Sequence, residues 1–310
     1  MDMRKIGSLD VSVCGLGTNN FGSRLDEKQT AAVIDAALDE GINFLDTADL
    51  YGGTKSEQFI GKALAGRRDR IVLATKFGGP LDDNPEHRGG SARWVRQACE
   101  DSLRRLNTDR IDLYQLHFPD QHVPIDETLT ALDELVKAGK VREIGNSNFT
   151  GEMIEDADDV SQKLGLTRFV SAQNMYNLLS RQPETDAIPA CERRGLAFLP
   201  YFPLASGLLT GKYRKDQPLP EGARITSYPE ERRKDFMSER AMDVVEKLET
   251  FAEERGHKLL DLAMSWLAAN KVVASVIAGA TKPEQVRANA AAVAWKLSDA
   301  ELKEIDAITR

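Results

Sequence analysis

A chain of 310 residues is long enough for one large domain with a sizeable core, and 41% apolar with 29% charged residues is the balance of a soluble globular protein. A formal net charge of −8 argues against nucleic acid and anionic membranes as general partners, and no apolar run approaches the roughly 20 residues of a membrane span. Met1-Asp-Met-Arg-Lys5 lacks the apolar stretch of a secretory signal, and Cys14, Cys99 and Cys191, odd in number and in apolar contexts, suit reduced thiols in a cytosol without a Cys-His metal spacing.

Residues 3–12 read as a small β-hairpin that turns at Gly7-Ser8-Leu9-Asp10 and caps one end of the main body. Val11 to Gly17 reads as a first buried strand. Gly15-Leu16-Gly17 has the start of a dinucleotide fingerprint, but position 20 is Asn, and that reading is rejected. Strand and helix signals then alternate. Asp26-x-x-Gln29 is a capping-box variant opening a helix to Glu40, with Val33, Ile34, Ala37 and Leu38 as its inner face. Strands are expected at 43–46, 71–76, 111–116, 141–146, 169–174 and 196–201. Helices are expected at 55–65, 91–106 beginning at Ser91, 126–138, 150–165 and 184–194. A long polar loop, 203–236, breaks the rhythm. Helices near 238–255 and 258–269 precede an eighth strand, Val273 to Ala278. Thr281-x-Pro-Glu284 is a capping box opening helix eight, and Ser298-x-x-Glu301 opens the last helix.

Eight strand signals, most of them separated by one helical pattern, match an α/β fold of the (β/α)8 TIM-barrel type with an N-terminal hairpin cap and a long loop after strand seven. An open doubly wound sheet would usually carry a glycine fingerprint at its first turn. No linker, repeat or low-complexity stretch divides residues 1–310, which read as a single domain.

Polar residues stand where three consecutive apolar strands end: Asp46, followed by Tyr51 and Gly52-Gly53; Lys76; and His117. Strand ends and the loops beyond them are where barrel enzymes carry their chemistry. Taken singly, each has a bland alternative: a loop-capping carboxylate, a rim aromatic, a core histidine. A lysine after five apolar residues is costly unless paired, so Lys76 is either the partner of Asp46 or a Schiff-base lysine. With Asp46 as partner, the lysine stays charged and favours the phenolate of a nearby tyrosine, lowering its pKa. Tyr51 can then give and recover a proton, and a neutral His117 can hydrogen-bond a carbonyl. That set fits carbonyl reduction, whose hydride requires a cofactor.

The chain resembles the aldo-keto reductases over nearly its whole length. The resemblance rests on Gly15-Leu-Gly-Thr18 with Phe21-Gly22, Asn43-Phe-Leu-Asp-Thr-Ala-Asp-Leu-Tyr-Gly52, Ala74-Thr-Lys76 and Ile111-Asp-Leu-Tyr-Gln-Leu-His117. It continues in Ile144-Gly-Asn-Ser-Asn-Phe149, Pro203-Leu-Ala-Ser-Gly-Leu-Leu-Thr-Gly211 and Gly279-Ala-Thr-Lys-Pro-Glu-Gln285 through Asn289. The short C-terminal tail and the 203–236 loop resemble the bacterial and potassium-channel-β-like branches. The resemblance implies a tetrad of Asp46, Tyr51, Lys76 and His117, with Tyr51 as general acid. It implies that Ser147, Asn148 and Gln173 hold the nicotinamide carboxamide and that Tyr201 stacks on the ring. Pro203, Leu204, Ser206, Gly207, Leu208, Gly211 and Lys212 match the loop over the pyrophosphate, and Gly279, Thr281, Lys282, Gln285 and Asn289 the adenosine end.

Two departures stand out. Asn146 puts an amide where an apolar side chain is usual, and Gly279, Ala280 and Gln285 occupy positions where many relatives carry Lys, Ser and Arg. The expected activity is reversible reduction of a small aldehyde or ketone, in the cytoplasm, with NADPH preferred modestly over NADH. A Schiff-base aldolase using Lys76 and a cofactor-sensing interaction subunit are the rival readings. The substrate and the oligomeric state are not legible in the sequence.

Overall fold

A computed structural model describes residues 1–215, 217–220 and 222–310. Strands β1 (Met3–Ile6) and β2 (Leu9–Ser12) form an antiparallel hairpin turning at Gly7 and Ser8. The predicted strand 11–17 is divided between two sheets: its first half closes the hairpin, and β3 (Cys14–Gly17) begins the barrel. From there the alternation runs α1 (Glu27–Asp39), β4 (Phe44–Asp46), α2 (Lys55–Ala63), β5 (Val72–Phe77), α3 (Ala92–Leu106), β6 (Ile111–Leu116), α4 (Ile125–Lys137), β7 (Val141–Ser147), α5 (Gly151–Leu164), β8 (Phe169–Met175), α6 (Ala187–Arg194) and β9 (Ala197–Tyr201). After the long connection come α7 (Glu230–Phe236), α8 (Glu239–Glu253), α9 (Leu259–Ala269), β10 (Val276–Gly279), α10 (Pro283–Ala291) and α11 (Asp299–Thr309).

The helix starts obey local capping chemistry. The Asp26–Gln29 and Ser298–Glu301 boxes form as expected, and Ser91 caps α3 through the Trp94 amide. The box expected at Thr281 does not form with Glu284. Lys282 occupies the cap position with Pro283 in the first turn, and the Gln285 side chain instead accepts from the Thr281 amide (2.7 Å) and hydroxyl (3.1 Å). The 203–236 stretch is not an unbroken loop. It carries 3₁₀ turns at Ala205–Thr210 and Arg224–Ser227 and the short α7, while its residues Asp216 and Glu221 lie outside the described residues. These short pieces have no amphipathic period long enough to register in the sequence.

The eight strands β3 to β10 are all parallel, in the order β10-β3-β4-β5-β6-β7-β8-β9. The seam between the two ends is closed by Phe198, whose amide donates to Val272 O (2.8 Å) and whose carbonyl accepts from Ala274 (3.0 Å). The barrel is a (β/α)8 TIM barrel. Strand residues of alternate parity face two cores. Outward residues such as Tyr114, Leu116 and Ala172 pack under the helices. Inward, Phe44, Ala74, Leu113, Leu199 and Ala274 meet Ile6, Leu9 and Val11 of the hairpin, which plugs the N-terminal end. Arg4 fastens the plug by donating to the carbonyls of Ala268, Asn270 and Val273. Among the described residues no helix is long and apolar enough to cross a membrane.

Candidate active site at the C-terminal mouth of the barrel

Two residues beyond the inward apolar layer, the same strand faces turn polar: Phe44 is followed by Asp46, Ala74 by Lys76, Leu113 by Gln115. The period of two along a strand therefore delivers one carboxylate, one ammonium and one amide to the same level, just below the mouth. Lys76 Nζ donates to Asp46 Oδ2 (2.5 Å) and to Thr47 O (2.9 Å). The other oxygen, Oδ1, accepts from Gln115 Nε2 (3.1 Å) and Gln173 Nε2 (3.0 Å). Both members of the ion pair are buried. Burial alone would lower the Lys76 pKa, but Asp46 and Tyr51 outweigh it, and the lysine is held above its ordinary value.

Past β4 the chain continues the ladder, with Thr47 N donating to Ala74 O (2.9 Å) and Asp49 N to Lys76 O (3.1 Å). It then turns at Gly52 (φ +60°), where an added Cβ would lie 2.4 Å from Phe21 O. Only glycine fits there, and the turn hangs Tyr51 over the ion pair with Lys76 Nζ 5.3 Å from its ring centroid. The expectation of a lowered Tyr51 pKa is overturned. Burial raises it, Lys76 offsets only part of that rise, and the net direction is upward. His117 extends β6 by donating its amide to Phe77 O (2.8 Å) and sets its ring edge-on to Tyr51, 5.9 Å between centroids. Burial, then the Lys76 charge, push its pKa down to about 3, so the imidazole is neutral at physiological pH. Phe118 stacks on it at 4.5 Å, and Nδ1 is buried with no partner among the described residues.

A cleft of about 520 Å³ opens over this cluster, lined at its floor by Asp46, Tyr51, His117, Ser147, Asn148, Gln173 and Tyr201. Asn148, in a left-handed conformation (φ +62°), donates to His117 O (2.9 Å) and accepts from the Tyr201 hydroxyl (2.7 Å). Ser147 Oγ donates to Gln173 O (2.9 Å). Further out the walls are Pro203, Leu204, Ser206, Gly207 and Lys212 on one side, and Gly279, Thr281, Gln285 and Asn289 on the other. Lys76 lies behind Asp46 rather than in the lining. Leu208, Gly211 and Lys282 also lie outside it: Leu208 is in the helix-side core, Gly211 faces Glu249, and Lys282 is exposed at the start of α10.

Several residues of the cleft and of the buried cluster beneath it were not expected from the sequence. Gln115 was legible in principle, as a polar residue two places before His117 on the inward face. Asn19, Asn20 and Arg24 follow β3, while Phe202 and Arg224 come from the stretch after β9. Arg24 donates to Gly222 O (2.8 Å), Arg224 Nη1 to Asn19 Oδ1 (3.4 Å), and Asn20 Nδ2 to Ala280 O (3.4 Å). These contacts join three loops distant in sequence, so no local pattern announced them. Arg24, Lys212 and Arg224 make no ion pair among the described residues. Burial, with Arg24 nearby, lowers the Lys212 pKa. Asn146 faces away from the cleft beside Leu116 and Ala172, fully buried with both amide atoms unpartnered among the described residues, and nothing in the structure explains it.

A closed parallel barrel with a buried acid–base cluster opening into a long cleft at the strands' C-terminal ends is the arrangement of a barrel enzyme. The chain belongs to the aldo/keto reductase family, whose sequence profile matches residues 14–310. It is 39% identical to the uncharacterized oxidoreductase YrpG of Bacillus subtilis, over 90% of this chain and 86% of that protein. It is 35% identical to the aldo-keto reductase YhdN of the same organism, over 97% and 90%. A probable voltage-gated potassium channel subunit beta of Arabidopsis thaliana is 33% identical over 94% and 91%. Membership makes the protein an oxidoreductase acting on carbonyl compounds, in a family that generally uses nicotinamide cofactors.

Proposed function

We propose that the protein reduces a small aldehyde or ketone reversibly to the alcohol, with Tyr51 as general acid and NADPH as the preferred cofactor. The observation that carries this reading is the Lys76–Asp46 pair buried directly beneath Tyr51, with an uncharged His117 edge-on to the same phenol. The lysine's field opposes the rise that burial imposes on Tyr51, keeping the phenol usable as an acid. Neutral His117 donates a hydrogen bond to the carbonyl oxygen and aims it at the Tyr51 hydroxyl. Because Asp46 holds Lys76 protonated, the amine is not free to attack a carbonyl, which disfavours an aldolase.

The cleft suits a dinucleotide. Arg24, Lys212 and Arg224, with no ion pair among the described residues, line the cleft and would meet the pyrophosphate. Gly207 takes φ +97° at the turn beside Lys212, a backbone conformation that favours glycine. Ser147, Asn148 and Gln173 would hold the carboxamide, Tyr201 the ring face, and Thr281, Gln285 and Asn289 the adenosine end. The bound nicotinamide would supply the hydride. Lys282, exposed at the head of α10, is the one basic side chain in the Gly279–Gln285 turn, and Arg287 beyond it reaches toward Glu40 (3.9 Å). One lysine and a helix N-terminus support a preference for the 2′-phosphate of about 1–3 kcal/mol.

Tyr51→Phe tests the reading. It should lower kcat for carbonyl reduction by about 10²–10⁴-fold while cofactor affinity stays near wild type. Retention of more than roughly a tenth of wild-type kcat would remove Tyr51 from the role of acid. A cofactor-sensing subunit, the second reading that likeness to channel β subunits permits, is separated by turnover number: a reductase consumes many cofactor equivalents per chain.

A further inference from the structure

Behind the site lies a second buried cluster that the proposed reaction does not use. Glu57 of α2 is fully buried and accepts from Thr75 Oγ1 (2.6 Å) and from Arg105 Nε of α3 (2.6 Å). Asp49, also fully buried, lies on the β4–α2 connection, and no side chain among the described residues hydrogen-bonds to its carboxyl oxygens, toward which the Leu50 amide lies. Around these groups are three carboxyls, Asp46, Asp49 and Glu57, and two cations, Lys76 and Arg105. Asp46 holds Lys76 and Glu57 holds Arg105, each in direct contact. Among the described residues Asp49 has no ion-pair partner, and an isolated buried carboxylate is far more costly than a neutral carboxylic acid. The cluster balances when Asp49 carries the extra proton.

We infer that Asp49 is a neutral carboxylic acid in the working enzyme, and that its ionisation in mildly alkaline solution weakens Tyr51 as an acid. Asp49 thus acts as a positioning residue with a pH-dependent charge.

The groups facing it are Tyr51 on its own connection, Glu57 from α2, Lys76 from β5, Arg105 from α3 and Tyr114 from β6. Burial first, then the Glu57 charge, raise the Asp49 pKa to about 8 against the opposing pull of Arg105, the Leu50 amide and Lys76. The connection to the active site is short. Asp49 is two residues before Tyr51, and its amide is bonded to the carbonyl of Lys76 itself. Once ionised, Asp49 adds a negative charge that opposes the lysine's field at the phenol and raises the Tyr51 pKa further. A phenol with a higher pKa is a poorer proton donor, so reduction slows above about pH 8 although Tyr51 is still protonated.

The inference rests on Tyr51 being the acid, but half of it is testable without activity. Asp49→Asn keeps the shape and cannot ionise. A carboxyl whose folded pKa is raised stabilises the fold most below the unfolded value of 3.8, and that contribution is lost as pH rises toward 8. Wild-type Tm should therefore fall relative to Asp49→Asn between about pH 4 and 8 and run parallel to it above. On wild type alone, an infrared carboxylic-acid C=O band present at pH 6 should disappear by about pH 10, a reading that survives if the variant fails to fold. In the kinetic arm, the ratio of kcat at pH 9 to kcat at pH 6.5 should rise roughly two- to tenfold in Asp49→Asn, because the alkaline fall of the wild type is removed. A constant Tm difference together with no acid band would overturn the neutral Asp49. An unchanged alkaline limb in a variant that passes the Tm test would overturn its action on Tyr51. Failure of Tyr51→Phe to lower kcat would instead count against the catalytic reading, leaving the Tm and infrared results standing.

Discussion

Asp46 has two carboxylate oxygens and receives three side-chain donors: Lys76 on one oxygen, and the amides of Gln115 and Gln173 on the other. Both oxygens are therefore engaged, which holds Lys76 charged and in place beneath Tyr51. Lys76→Met removes the cation outright, whereas Asp46→Asn leaves a lysine whose pKa is now governed by burial and moves down. Both variants should lose kcat, Lys76→Met more severely, with the alkaline pKa of the rate profile displaced. Breaking such a pair also costs about 3–5 kcal/mol of stability, so folding must be verified by circular dichroism before the kinetics are read. A Lys76→Met enzyme with a wild-type pH profile would contradict the assignment. His117 makes the complementary case. Its folded pKa is depressed from 6.5 to about 3, so the unfolded chain binds the extra proton between those values and stability falls as pH drops below 6.5. His117→Asn should flatten that fall in a Tm series from pH 7 to 4, raise KM for the carbonyl and lower kcat. The wild-type rate profile should show no acid limb near 6.5; one there would mean an imidazolium form takes part.

At the scale of elements, the cleft is built where the loop after β3 meets the stretch after β9. Arg24 reaches across to Gly222 O, and Arg224 crosses back to Asn19 while lying 5.1 Å over the Phe202 ring. Each arginine thus ties two loops together and faces the space proposed for the pyrophosphate. Arg24→Ala and Arg224→Ala should each weaken NADPH and NADH alike, with the loss shrinking at high salt, as quenching titrations at two ionic strengths would measure. Lys282→Ala should instead raise KM for NADPH and leave NADH almost unchanged. Equal losses for both cofactors in Lys282→Ala would mean that Lys282 does not read the 2′-phosphate.

Across the whole molecule, the hairpin at the N-terminal end is the counterpart of the mouth. Its apolar residues fill the barrel bottom, and Arg4 donates to the Ala268 carbonyl in the last turn of α9 and to those of Asn270 and Val273 on the α9–β10 connection. Truncation at Arg4→Ala removes the guanidinium donors from Ala268 O and Val273 O, while Asn270 O keeps the Val273 amide (3.2 Å), and should cost about 1–3 kcal/mol in denaturant unfolding, with kcat nearly unchanged because the site is at the other end. A loss of activity equal to the loss of stability would show that the two ends are coupled.

What could be read along the chain was whatever depends on neighbours in sequence. The alternation of period-two strands and amphipathic helices, the caps at Asp26, Ser91 and Ser298, and the polar residue ending each apolar strand are local signals, and they led to the barrel and to Asp46, Tyr51, Lys76 and His117. Only the tertiary structure decided what depends on distance through space. It divided residues 11–17 between hairpin and barrel, moved the cap from Thr281 to Lys282, and brought Asn19, Arg24 and Arg224 to one cleft. It also reversed the expected shift of Tyr51, because a lysine's sign is visible in a sequence while the depth at which a phenol is buried is not. Electrostatic outcome depends on desolvation as well as on charge, and desolvation exists only once the chain has closed around the site.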